Sequence, residues 1–179
     1  RRLFGEGSFN AAFVPSYSKE LIKGKNKSEN FANDIFNLLA IFLLTLVVLI
    51  ELFMPLFVSL IAPGFKSDPE KFLLAIQLTK ITFPFIFFVS LASFFSAILN
   101  SHNRFAAASA APIILNIIMI SILIFGKILD KKLVIFLSYG VSIAGFVQSV
   151  FLIIFVKKFF RPKFKFRFNI SKEVKLFFK

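Results

Sequence analysis

From Leu38 to Ile50 the chain carries no charged residue, and apolar stretches of the same kind recur at 81–99, 106–126 and 133–156. About 20 apolar residues suffice to cross the hydrocarbon core of a bilayer as a helix. Four such stretches in one chain leave little room for a soluble fold, so the reading is an all-α, polytopic transmembrane helix bundle. Composition agrees: 58% of the 179 residues are hydrophobic and 29 are Phe, against roughly 45–50% apolar content in soluble domains.

The formal net charge is +13. In a soluble chain that excess would point to nucleic acid. Here the Lys and Arg residues cluster between and after the apolar runs, which points instead to orientation in a bilayer and to anionic lipid headgroups; no nucleic-acid partner is expected. There is no Cys and a single His, His102. Disulfides, thiolate metal sites and multi-histidine metal sites are thereby excluded, and no cofactor is implied. The chain opens on Arg1 and stops at Lys179 within an amphipathic pattern, so it reads as an internal piece of a longer membrane protein.

Helices are expected at about 1–22, 30–62, 70–99, 106–128 and 133–156. Pro15 should kink the first or mark its exit from the bilayer. Lys19 to Glu29 reads as a polar link with Gly24 as breaker. The second helix contains Pro55 and closes at Ala62-Pro63-Gly64-Phe65; Ser67 or Asp68 should cap the third, with Pro69 in its first turn. Pro84 should break that third helix, with neighbouring helices satisfying the freed carbonyls. Asn100 to Arg104 is a compact turn, and Lys127 to Lys132 a short polar link. Gly140, Ser142, Ala144, Gly145 and Gln148 mark the fifth helix as a packing surface. The segment 157–179 alternates Lys or Arg with Phe and reads as an interfacial cytoplasmic anchor, followed by a short helix capped by Ser171. Fourteen Lys and Arg fall on the side of the 19–29 link, the 100–104 turn and the tail, and five on the other side. The positive-inside rule places the first set in the cytoplasm.

The densest polar chemistry lies at the start. At 100° per residue Arg2, Glu6 and Asn10 share one narrow helical stripe, while Gly5, Gly7, Ser8, Ala11 and Ala12 keep the rest of the surface small enough for close helix contact. Ionised groups at membrane depth cost at least about 2.5–3.5 kcal/mol each on insertion scales, so they persist beside water, a partner or a ligand. One reading puts this end at the interface, with Arg2 and Glu6 paired at i, i+4 and solvated. The other makes Arg1, Arg2 and Glu6 the wall of a cationic cavity for an anionic headgroup, for which the arginine fork suits phosphate oxygens. Lys80 is expected to snorkel to the outer interface, and Glu51 to lie near the same edge, within reach of Lys80. Asn116 and Gln148 are assigned to interhelical hydrogen bonds, with lining of a cavity as the lesser alternative. His102 is assigned to a solvated loop.

Arg1-Arg2-Leu3-Phe4-Gly5-Glu6-Gly7-Ser8-Phe9-Asn10-Ala11-Ala12-Phe13-Val14-Pro15 resembles the second-helix signature of the MurJ (MviN) lipid II flippases, members of the multidrug/oligosaccharidyl-lipid/polysaccharide exporter superfamily. The likeness extends through Ile61 to Phe65, Lys80 to Pro84, Ala97 to Phe105, Ala111-Pro112 and Leu115-Asn116. It implies that the chain is most of the N-terminal lobe of a two-lobed exporter, in the bacterial inner membrane. It also implies that Arg1 and Arg2 match an arginine pair of a central cavity between the lobes, with Glu6 as its acidic residue. The expected activity is transfer of lipid II, the undecaprenyl-pyrophosphate-linked disaccharide peptide, to the outer leaflet by alternating access. With no Walker motif, metal cluster or nucleophile–base set, the chain is not expected to be an enzyme. Family arginines on the first helix and in the second lobe have no counterpart here, so this stretch alone should not transport. The rivals are a sister exporter of another polyprenyl-linked oligosaccharide or of an organic cation, and a non-transporting membrane scaffold; a cation exporter would want cavity carboxylates without arginines.

Overall fold

The computed structural model describes residues 6–126 and 133–164, the first three of them by backbone alone, and seven α-helices form among these described residues. They are α1 (Glu6–Ile22), α2 (Lys25–Leu52), α3 (Met54–Ile61), α4 (Pro69–Thr82), α5 (Phe85–Ser101), α6 (Phe105–Gly126) and α7 (Leu133–Val156). No strand occurs among the described residues. Taking α4 and α5 together, four segments are long and apolar enough to cross a membrane.

The breaks between helices follow backbone chemistry. The polar link expected over 19–29 shrinks to Lys23-Gly24: Gly24 takes φ 121°, and α2 starts at once. Lys23 pairs back to Glu20, and Lys25 reaches Glu29 at 4.0 Å, so charges read as loop instead support helix ends. The single helix expected over 30–62 is two helices, split at Phe53 (φ −108°, ψ 26°). Pro55 is the cause, because it has no N–H and its ring clashes with the carbonyl four residues back, on Glu51. A 3₁₀ turn over Pro63–Ser67 closes α3; the Asp68 side chain then accepts from the Lys71 N–H and caps α4, with Pro69 in first position. Hydrogen bonds to and around Lys71 hold the Asp68 carboxyl below its ordinary range.

Pro84 separates α4 from α5. Beside this break the Ser142 hydroxyl on α7 donates to the Ile81 carbonyl, and farther along α5 Ser149 donates to the Phe88 carbonyl at 2.7 Å. The turn after α5 closes by Arg104 N–H donating to the Leu99 carbonyl at 2.8 Å, with Asn103 at φ 58°. This six-to-one bond over a left-handed residue is a Schellman closure.

α5 is the hub, packed on α1, α2, α6 and α7. Its buried Phe94 and Phe95 meet Phe13 of α1, Phe36 of α2 and Phe160, which follows α7. Phe9, Phe13 and Tyr17 stack at one-turn intervals along α1, ring centres 5.4 Å apart. On the other side of α1, Ala11 and Ala12 remain exposed, so the close contact expected of these small residues is not made among the described residues. Gly145 does permit close approach: a Cβ there would lie 2.6 Å from the Phe85 ring and 3.1 Å from the Phe88 Cβ.

The start of the tail departs from the expected anchor. Phe160 is fully buried, and the Lys163 N–H donates to Asn33 Oδ1 at 2.8 Å while its carbonyl accepts from Asn37 at 3.1 Å. The segment is therefore pinned along α2 rather than lying free at the interface. The remainder of the tail, including the Ser171 cap, and the 127–132 link lie outside the described residues.

Candidate functional site

Asn10 belongs to the polar stripe on α1, and its side chain lines a partly open cavity of about 250 Å³ between α1, α5, α6 and α7. The polar wall is built by Asn10, Ser93, Ser96, Asn100, Ser109 and Gln148; small apolar residues complete it, and among the described residues no charged side chain lines it. Polar residues recur on α5 at 93, 96 and 100, the helical spacing of three and four that keeps them on one face. Ala92 and Ala111 in the wall leave room where larger side chains would fill the space.

Three oxygens at this cavity, Asn10 Oδ1, Ser93 Oγ and Gln148 Oε1, are buried and have no hydrogen-bond partner among the described residues. Buried polar atoms normally find partners, so each such atom calls for water or a ligand. Gln148 retains only 6% exposure. The only other buried side-chain oxygen in that state among the described residues is Glu51 Oε1.

The whole chain, residues 1–179, matches the family model described as "Lipid II flippase MurJ". The chain belongs to the MurJ family. Proteins named "Probable lipid II flippase MurJ" from Rickettsia prowazekii (strain Madrid E), Rhizobium tropici and Rhizobium meliloti (strain 1021) are 40%, 41% and 42% identical to it. These matches cover 88%, 88% and 83% of this chain and 31%, 30% and 29% of the relatives. The chain thus spans under a third of the length of the curated relatives it matches. With four segments able to cross a membrane, it is part of a multi-pass membrane protein.

Of the MurJ signature residues, Arg1 and Arg2 lie outside the described residues; Glu6 opens α1, and its side chain lies outside them too. Lys80 is exposed at the end of α4, and Glu51 stands near enough to feel its charge, but the two are not ion-paired. Asn116 is exposed on α6 and makes no interhelical hydrogen bond among the described residues, because it stands on a face of α6 that none of their helices covers. Gln148 lines the cavity rather than bonding a neighbouring helix.

His102 is not a solvated loop residue. It stacks on Phe159 with centroids 4.3 Å apart and an interplanar angle of 18°, and its Nε2 lies 3.3 Å from the Tyr17 hydroxyl. Burial lowers its pKa below the ordinary 6.5. Its partners stand 85 and 57 positions away in sequence, so no local pattern could have announced them. Ser93 was also missed; its only signal was the polar spacing shared with Ser96 and Asn100.

Proposed function

We propose that this chain forms most of the N-terminal lobe of a flippase that moves lipid II across the bacterial inner membrane by alternating access, and that it is not an enzyme. Arg1 and Arg2 hold the diphosphate of the lipid by bidentate, charge-assisted bonds, and Glu6 orients an arginine or tempers the charge of the space. The basic residues on the cytoplasmic side meet anionic lipid headgroups. Membership in the family supports the substrate, and the observation that carries the site is Asn10. It is the member of the stripe whose side chain is described, and it faces an internal polar cavity rather than lipid. Glu6 precedes Asn10 by four residues and Arg2 by eight, on the same helical face in the sequence pattern.

The test uses the full-length protein in a strain depleted of its own lipid II flippase. Arg2→Ala, and separately Arg1→Ala, should abolish growth rescue while the protein still inserts. Full rescue by correctly inserted variants removes the diphosphate role.

A further inference from the structure

The cavity between α1, α5, α6 and α7 has a chemistry the diphosphate grip does not use. Among the described residues its polar groups are two carboxamides of asparagine, one of glutamine and three serine hydroxyls, all neutral. A phosphate would want cations in the wall, and a bare metal ion would want carboxylates and close-set oxygens. Neutral hydroxyls and amides match a ligand that donates and accepts in turn, without charge. At about 250 Å³ the space exceeds a single water several-fold, since one water occupies about 30 Å³ in the liquid. Three of its oxygens, those of Asn10, Ser93 and Gln148, are buried and lack partners among the described residues, so a ligand reaching them gains bonds without displacing protein ones.

We propose that this cavity is the subsite for the neutral, hydroxyl- and acetamido-bearing sugar part of the transported lipid, with Ser93 and Gln148 as its recognition residues. This rests on the flippase reading above and extends it. In the sequence pattern Asn10 shares a helical face with Arg2, which precedes it by eight residues. A sugar joined directly to a diphosphate spans both places at once. The lobe thus reads charge and sugar at neighbouring points of one wall, and a polyprenyl diphosphate without sugar engages only the first.

Purified full-length protein, wild type and the variants Ser93→Ala, Gln148→Leu and Arg2→Ala, is titrated with two probes. One is undecaprenyl diphosphate bearing the disaccharide pentapeptide, the other undecaprenyl diphosphate alone. Ser93→Ala and Gln148→Leu should each weaken the sugar-bearing lipid by about two- to tenfold, the worth of a neutral hydrogen bond, and leave the bare lipid unchanged. Arg2→Ala should weaken both. Both cavity variants delete unpartnered oxygens, so thermal stability should hold or rise; if Gln148→Leu fails to fold, Ser93→Ala carries the same comparison. Unchanged binding of both lipids by the cavity variants, or equal loss for both, overturns the sugar subsite. If Arg2→Ala binds both lipids like wild type while the cavity variants discriminate, the subsite stands and the diphosphate role falls.

Discussion

His102 sits where three chain segments meet, held between Phe159 and Tyr17 at the end of the bundle. Its lowered pKa has a stability consequence with a definite sign. As pH falls below about 6.5, the unfolded chain takes up a proton that half-buried His102 resists. The penalty is absent above that pH and grows below it until the folded pKa is passed. Thermal unfolding of the full-length protein in detergent should show a steeper loss of Tm between pH 7.5 and 5.5 for wild type than for His102→Gln. Parallel curves would show that the imidazole has no such role. At the same scale, Ser142→Ala removes the donor that answers the Ile81 carbonyl beside the break at Pro84. The expected cost is about 0.6 kcal/mol, the average measured for interhelical hydrogen bonds in a membrane protein, and at most about 1.7 kcal/mol, read as a lower Tm. Residue roles were the least legible part of the sequence. Asn116 and Gln148 are both carboxamides within apolar helices, yet one is exposed and the other lines the cavity. What separates them is which helix packs over each, and that is decided far away in the chain.

At the scale of elements, proline and glycine account for what the sequence disclosed. Pro84, Pro69 and Asn100–Arg104 mark helix ends that the structure has, because a missing N–H or a left-handed residue acts locally. The break at Phe53 is not legible because the apolar run continues through Pro55, which starts a new helix rather than lying inside the expected one. The Lys19–Glu29 charges were misread because i, i+3 and i, i+4 pairs at helix ends have the composition of a loop. Gly145 shows an element-level constraint: Gly145→Ala would press a methyl against Phe85 and Phe88 and force α5 and α7 apart. The expected destabilisation is about 1–3 kcal/mol, measured as a Tm shift; an unchanged Tm would mean that the two helices can slide. The docked start of the tail makes a separate claim. Asn33→Ala should speed hydrogen exchange at the Lys163 amide, since that N–H loses its acceptor. Unchanged protection would indicate that Phe160 alone holds the segment.

For the molecule as a whole, the helical membrane architecture was legible in the sequence because long apolar runs admit few alternatives in lipid. The cavity was not, because it is built by α1, α5, α6 and α7 together and no single helix announces it. The central claim is that the polar stripe of α1 faces an aqueous, ligand-holding space within the lobe. Asn10→Cys, as the sole cysteine of the full-length protein, tests it most directly. The account predicts that a membrane-impermeant, water-soluble thiol reagent modifies this cysteine from one side of the membrane, and that added lipid II slows the reaction. Modification only by lipid-dissolved reagents, with no effect of lipid II, would contradict it.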